Sequence, residues 1–202
     1  MSGYVRGMIA ALVLAAGGSS RLGAPKQLLR WGDTTLLGHV LDALRDLPFD
    51  EIFVVIGASG DQILEEVDMD GATVIENPEW EEGMASSLRV GLDAVLRLSR
   101  ADAVGIFLGD QPEISEDVVN GLLEARRSTK RQAIVPKYRY IWGNPVIVER
   151  SLWPRLMSLD GDEGAKGLLQ AHPEWVQEVW FERRPPRDID TRADFDELRP
   201  RQ

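Results

Sequence analysis

Two short stretches of this 202-residue chain concentrate residues able to handle phosphate and metal. The first reads Leu14-Ala15-Ala16-Gly17-Gly18-Ser19-Ser20-Arg21-Leu22-Gly23-Ala24-Pro25-Lys26. Glycines let the backbone turn tightly and approach a ligand without a Cβ in the way. Successive backbone N–H groups in such a turn cradle phosphate oxygens, and Ser19 and Ser20 add hydroxyl donors. Arg21 supplies a planar fork of donors and Lys26 a mobile point charge. The second stretch is Gly109-Asp110-Gln111-Pro112, where the Asp110 carboxylate suits a hard cation such as Mg²⁺, or Mn²⁺, which accept oxygen ligands. The plainer reading of that turn is a structural Asp before Pro. A third cluster, Asp188-Ile189-Asp190-Thr191, holds two carboxylates that alternation sends to one side of a short strand. Either could complete a metal site with Asp110; equally, Asp190 or Thr191 could cap the helix that follows.

Two familiar phosphate loops do not match the first stretch. Gly17-Gly18-Ser19 breaks the dinucleotide fingerprint, and Gly23 is followed by Ala24 and Pro25 rather than by Lys and Ser or Thr. The chain has no cysteine and only two histidines, His39 and His172, neither near the Gly loop or Asp110 in sequence. Thiolate chemistry is excluded, and no G-x-S-x-G elbow marks a serine hydrolase. What remains is phosphate handling by cations and metal. An acceptor phosphate monoester needs no general base, so positioning and charge neutralisation suffice for nucleotidyl transfer.

The elements that must position these residues alternate in type. Met8–Leu14 is a continuous apolar run, as in a strand buried on both faces. Leu36, Leu37, Val40, Leu41 and Leu44 recur at helical spacing behind Thr34 or Thr35 as a cap. Further strands are predicted at Glu51–Ile56, Ala72–Ile75, Ala103–Leu108 and Val176–Phe181, with Ala133–Pro136 and Pro145–Val148 as a hairpin or neighbouring pair. Helices are predicted at Gln62–Val67, over some fourteen residues from Met84, at Ser115–Arg126 with a Ser cap, at Ala165–Gln170 and at Arg192–Leu198. A short helix starts at Pro154. Alternation of strand and helix implies parallel βαβ units, hence a three-layer α/β fold with a mostly parallel central sheet. In such sheets ligands sit at the carboxyl ends of the strands, where the loop before Lys26 and the Asp110 turn both fall. Tyr138, Tyr140 and Trp142 are read as alternating along one strand, with packing onto a neighbouring element the favoured role.

Length suits a single domain over 1–202, large enough to close a core without staples. Acidic residues outnumber basic ones 33 to 23, a formal charge of −10. Such a chain repels nucleic acid and anionic membrane unless a local patch overrides the total. Residues 58–82 hold nine acids and no Lys or Arg, a solvated face. Arg126, Arg127, Lys130 and Arg131 read as solvated helix surface. No signal peptide or membrane span is visible, and a reducing cytoplasm is the expected home.

With these residues named, the chain resembles the MobA-like nucleotidyltransferases, specifically their cytidylyltransferase branch, over nearly its whole length. Leu14–Lys26 resembles the family's L-A-x-G-x-S-x-R-x-G-x-x-K loop. Asn77-Pro78-Glu79-Trp80 with Gly83-Met84-Ala85-Ser86-Ser87-Leu88 resembles the segment near base and ribose. Gly109–Pro112 resembles the metal-binding turn, and Asp190, before Thr191, the second metal ligand. Gly143-Asn144-Pro145-Val146 and Gly161-Asp162-Glu163-Gly164-Ala165-Lys166 resemble the acceptor-side motifs. The resemblance implies a Rossmann-like α/β/α fold. It implies catalysis by Arg21, Lys26 and Asp110, and substrate binding by Leu14, Ala15, Ala16, Gly17, Gly18, Ser19, Asn77, Gly83, Ser86, Ser87, Asn144 and Asp162. Ala15-Ala16-Gly17 goes with cytidine transfer in the family, and Ala-Gly-Gly with guanosine transfer. CTP and a molybdopterin-type acceptor are therefore the implied substrates, Mg²⁺ the implied cofactor and a molybdenum hydroxylase the implied client. One departure stands out: relatives usually carry His at Asn144, and an amide cannot be protonated. A sugar or polyol phosphate as acceptor, and a non-catalytic cofactor chaperone, are the alternatives.

Overall fold

The structure, a computed structural model, describes residues 7–19 and 22–200. In chain order it contains β1 (Ile9–Leu14), β2 (Arg30–Trp31), β3 (Thr34–Thr35), α1 (Leu36–Arg45), β4 (Glu51–Ile56), α2 (Gly60–Glu66), β5 (Ala72–Glu76), α3 (Met84–Leu98) and β6 (Ala103–Leu108). There follow α4 (Glu116–Ser128), β7 (Ala133–Tyr138), β8 (Ile141–Trp142), β9 (Val146–Glu149), α5 (Trp153–Leu156), α6 (Ala165–Ala171), β10 (Val176–Phe181) and α7 (Arg192–Leu198). The main sheet runs β10-β7-β9-β6-β1-β4-β5, with β8 paired to β7. β1 lies between β4 and β6, parallel to both, and β10 is parallel to β7. β9 alone separates the two parallel groups, antiparallel to β6 and to β7.

Side-chain alternation in β1 accounts for its unbroken apolar sequence. Ala10 and Leu12 join a core with Leu88 and Leu92 of α3 and Trp153 of α5. Ile9, Ala11 and Val13 join a second core with Leu37 and Leu41 of α1 and Val118 and Leu122 of α4. Helices thus cover both faces, and a strand buried on both sides has no polar face to alternate with. Thr35 caps α1 by accepting from the Gly38 N–H at 3.0 Å. Among the described residues no helix is long and apolar enough to cross a membrane.

Three local expectations are corrected. Ser115 precedes α4, yet its side chain makes no cap bond; its hydroxyl accepts instead from Arg183. Tyr138, Tyr140 and Trp142 do not share a strand, because Arg139 adopts a left-handed φ of 56° and turns the chain from β7 into β8. Tyr138 is consequently buried and Tyr140 is 85% exposed, while Trp142 donates to Glu178 at 2.6 Å. Arg126 is ion-paired rather than solvated, its guanidinium reaching both Glu149 oxygens at 2.6 and 3.2 Å.

Candidate nucleotide and metal site

The carboxyl ends of β1 and β6 adjoin, joined by the Gly109 N–H to the Leu14 carbonyl at 2.9 Å. β1 runs directly into the Gly loop and β6 into the Asp110 turn. The loop's floor is fixed by two backbone bonds, from the Ala15 N–H to Val55 O at 2.8 Å and from the Ala58 N–H to Ala16 O at 3.1 Å. Ala15 and Ala16 are buried here, Leu14 is half-buried, and Gly17 and Gly18 are exposed. Ser19 turns in the left-handed region at φ 52°, and its hydroxyl accepts from the Lys26 N–H at 2.9 Å. Arg21, with Ser20, lies outside the described residues.

Sequence reasoning missed Gln27. Its side chain is buried, and its Nε2 donates to Ala15 O at 2.7 Å and Gly17 O at 3.0 Å. It pins both ends of the turn from beneath and sets the place of its neighbour Lys26. Its position directly after Lys26, ahead of Leu28-Leu29, is the only trace of this in the sequence. Gln27→Leu should leave the buried Ala15 carbonyl, and the part-buried Gly17 carbonyl beside it, without this donor, at about 1–3 kcal/mol. A lowered melting temperature with weakened nucleotide binding is expected; an unchanged melt would contradict the role.

Lys26 is where the scattered residues converge. Its Nζ lies 2.5 Å from Asp110 Oδ2 and 3.1 Å from Asp190 Oδ1. Burial would lower the ammonium's pKa, but Asp110 and Asp190 together outweigh it and hold Lys26 above its ordinary value. Burial also raises Asp110, helped by the nearby Asp188 charge, and Lys26 offsets this only in part. Both groups are therefore shifted toward protonation, which a purely favourable ion pair would not do to the acid.

The 186–190 segment forms no strand. Ile189 is fully buried, and its N–H donates to Asp110 O at 3.0 Å. The two flanking carboxylates divide: Asp188 takes a hydrogen bond from Gln111 Nε2 at 2.7 Å, whereas Asp190 meets Lys26. The cap of α7 is Thr191, in a reciprocal capping box with Asp194. Ile189, Trp31, Leu36 and Phe195 form a small separate core. This core joins the stretch just after Lys26 to the segment that carries Asp190, which is how residues 164 positions apart meet.

On the other side of the crevice, Asn77, Ser86 and Ser87 are all buried. Asn77 Nδ2 donates to the Ser86 and Ser87 hydroxyls at 2.8 and 3.0 Å, and its Oδ1 accepts from the Glu79 N–H at 3.0 Å. These polar groups hold the 79–83 loop internally. That loop places Trp80 so close to Gly18 that a Cβ on Gly18 would come within 2.7 Å of the indole. Gly83 has φ +102°, and a Cβ there would lie 2.5 Å from the Gly161 carbonyl and 2.7 Å from Asp162 Oδ1. Only glycine fits, and the Gly161–Gly164 loop docks on the start of α3, with the Ala85 N–H donating to Gly161 O at 3.0 Å. Asn144 lies elsewhere on the rim, its Nδ2 donating to Gln111 Oε1 at 3.2 Å.

Neither histidine takes part. His39 packs against Trp31, and His172 stacks on Trp175.

Residues 11–176 match the model of the MobA-like NTP transferase domain. The chain belongs to the MobA-like NTP transferase family. Molybdenum cofactor cytidylyltransferase of Escherichia coli K12 is 28% identical over 141 residues, 69% of each chain. The structure of Rv0371c from Mycobacterium tuberculosis H37Rv superposes with a TM-score of 0.85 at 33% identity, covering 95% of this chain and 97% of that one. The structure of Rv0371c in complex with manganese superposes at 0.79 with 31% identity over the same shares. The mostly parallel sheet flanked by helices is thus the Rossmann-like nucleotidyltransferase fold that the MobA-like motifs imply.

Proposed function

We propose that the chain transfers CMP from CTP to the molybdenum–molybdopterin cofactor and releases pyrophosphate. The observation that carries the reading is the meeting of Lys26, Asp110 and Asp190 at the carboxyl ends of β1 and β6. Two carboxylates that reach a single cation form an oxygen donor set suited to Mg²⁺ or Mn²⁺, with remaining positions left to phosphates and water. The Lys26 ammonium marks where positive charge is wanted between them. The manganese complex of Rv0371c supports a divalent ion in this family.

Asp110 and Asp190 would hold the ion, which when bound neutralises the triphosphate and stabilises charge at the α-phosphorus. The exposed Gly17–Gly18 backbone cradles the triphosphate. Lys26, kept protonated by its carboxylate neighbours, steadies the departing pyrophosphate, as does Arg21 in this reading. The acceptor phosphate oxygen bonds to the α-phosphorus as the bond to the bridging oxygen breaks. A phosphate monoester supplies that nucleophile without a general base, which suits a crevice with no histidine among its described residues.

Cytidine preference rests on Ala16. Its methyl is buried, and a Cβ built on Gly57 would lie 2.9 Å from it and 2.7 Å from Trp80 Cβ, so Ala16 packs into the wall that carries Trp80 rather than projecting into open space. Asn77, Ser86 and Ser87 act on the base and ribose through the loop they hold. Leu14 and Ala15 fix the loop's root, Ser19 its turn, and Asp162 with Gly83 the far rim. The 28% identity to the cytidylyltransferase of Escherichia coli supports the acceptor.

The test is pyrophosphate release with each of the four NTPs, Mg²⁺, and either molybdenum-bound molybdopterin or a panel of sugar and polyol phosphates. Turnover is expected with CTP and the pterin only. Turnover with a sugar phosphate and none with the pterin would overturn the acceptor; binding without turnover of any NTP would favour a chaperone.

A further inference from the structure

The residues around Asn144 form a chain of hydrogen bonds whose direction can be read from one end. An exposed carboxylate, Asp188, accepts from Gln111 Nε2 at 2.7 Å. A carboxylate accepts and does not donate, so it must face the NH₂ end of the Gln111 amide. The opposite end, Oε1, then faces Asn144 and requires a donor there, and Asn144 Nδ2 fills that role at 3.2 Å. The Asn144 amide is in turn fixed with its NH₂ toward Gln111, so its oxygen is turned away from the chain. The Asn144 backbone is held separately, by the Tyr138 hydroxyl donating to its carbonyl at 2.7 Å. The cavity behind the amides, lined by Phe107, Tyr138, Pro145 and Pro186 among others, has a volume of only about 10 Å³. At most one water fits there.

We infer that Asp188 and Gln111 are specificity-determining positioning residues: through them Asn144 offers an oxygen acceptor to the second substrate, and selects one bearing an N–H or O–H donor at that point. This inference rests on the transfer reading above and on the acceptor-side role that the Gly143-Asn144-Pro145-Val146 motif implies for Asn144. An unanchored amide would accept either polarity by flipping, and a histidine would do so by changing tautomer. The anchored amide reads one polarity only. A site built around a fixed polar group rejects a ligand of the wrong polarity because both groups are then left unpaired.

The experiment is a fluorescence titration of the full chain with two probes, pterin-6-carboxylate and lumazine-6-carboxylate. The second carries a carbonyl where the first has its 2-amino donor. Wild type should bind the pterin about tenfold more tightly, the scale of one net hydrogen bond. Asp188→Asn, an exposed and isosteric change, keeps an acceptor oxygen but adds a donor, so position 188 no longer dictates the polarity of the Gln111 amide, and Gln111→Met removes the link. In both variants the ratio should fall to about twofold or less, with melting temperatures checked alongside. Equal binding of the two probes by wild type, no binding of either, or an undiminished preference in Asp188→Asn would overturn the inference. Pyrophosphate release from CTP, measured on the same preparations, reports on the transfer reading separately, since the ratio needs binding alone.

Discussion

Asp110→Ala should lower nucleotidyl transfer by about a thousandfold or more while leaving the fold intact, the scale lost when a preorganised charge-stabilising group is removed. The carboxylate lies on a turn at the end of β6, and the turn's backbone is held independently of its side chain, through Ile189 N–H to Asp110 O and Gly109 N–H to Leu14 O. Removing the carboxylate deletes a metal donor without unpinning the loop. The ammonium of Lys26 keeps Asp190 as a partner at 3.1 Å. Steady-state kinetics and a thermal melt decide the matter together. Near-normal turnover from a folded variant would show that Asp110 is a turn-former only.

Lys26→Met should separate the structural from the chemical part of the same site. Lys26 and Asp110 are both mostly covered, with side chains 15% and 18% exposed. Without the ammonium, Asp110 keeps its burial and its Asp188 neighbour and loses the influence that opposes them. A loss of about 1–3 kcal/mol is expected for a partly buried charge left without its partner, less than for a fully buried pair. Mn²⁺ should restore more stability to this variant than to wild type, because a divalent ion between the same carboxylates replaces the missing charge. Turnover should nevertheless stay depressed, since the departing pyrophosphate has lost its cation. A variant as stable as wild type, with no extra gain from Mn²⁺, would contradict this account of the pair.

Much of the layer structure was legible because burial on two faces leaves a plain mark. β1, β4 and β6 are apolar runs with no polar alternation, and the stripes of α1 and α3 fall at helical spacing. Val176–Phe181 and Arg192–Leu198 fall where the pattern placed them. Direction was not legible in the same way. Val146–Glu149 is a short apolar run, and nothing in its composition says that it runs against β6 and β7. The turn at Arg139 was hidden because a non-glycine residue adopts the left-handed region there, held by a tertiary contact from its own N–H to Phe181 O at 3.1 Å.

The site divides along the same line. Lys26 and Asp110 stood out from residue type and from their places after strands, and one carboxylate of the Asp188–Asp190 pair was expected beside Asp110. Residue type alone left Asp188 and Asp190 equivalent, and only the motif resemblance pointed to Asp190; the buried Ile189 between them is what separates the two in the fold. Gln27 and Asn77 carry no charge and act on backbone or on serine hydroxyls. Polar side chains of this kind look like surface residues in sequence: Asn77 stood out only through its family motif, and Gln27 only once its burial was known.

A crystal structure of the chain with Mn²⁺ and a non-hydrolysable CTP analogue, using the anomalous signal of the ion, would decide whether the two aspartates hold the metal. An ion bound by carboxylate oxygens of both Asp110 and Asp190 at about 2.1 Å is expected, with the triphosphate over Gly17 and Gly18 and Lys26 on its phosphates. An ion that touches neither aspartate, with Lys26 still bridging them and the nucleotide elsewhere, would contradict it.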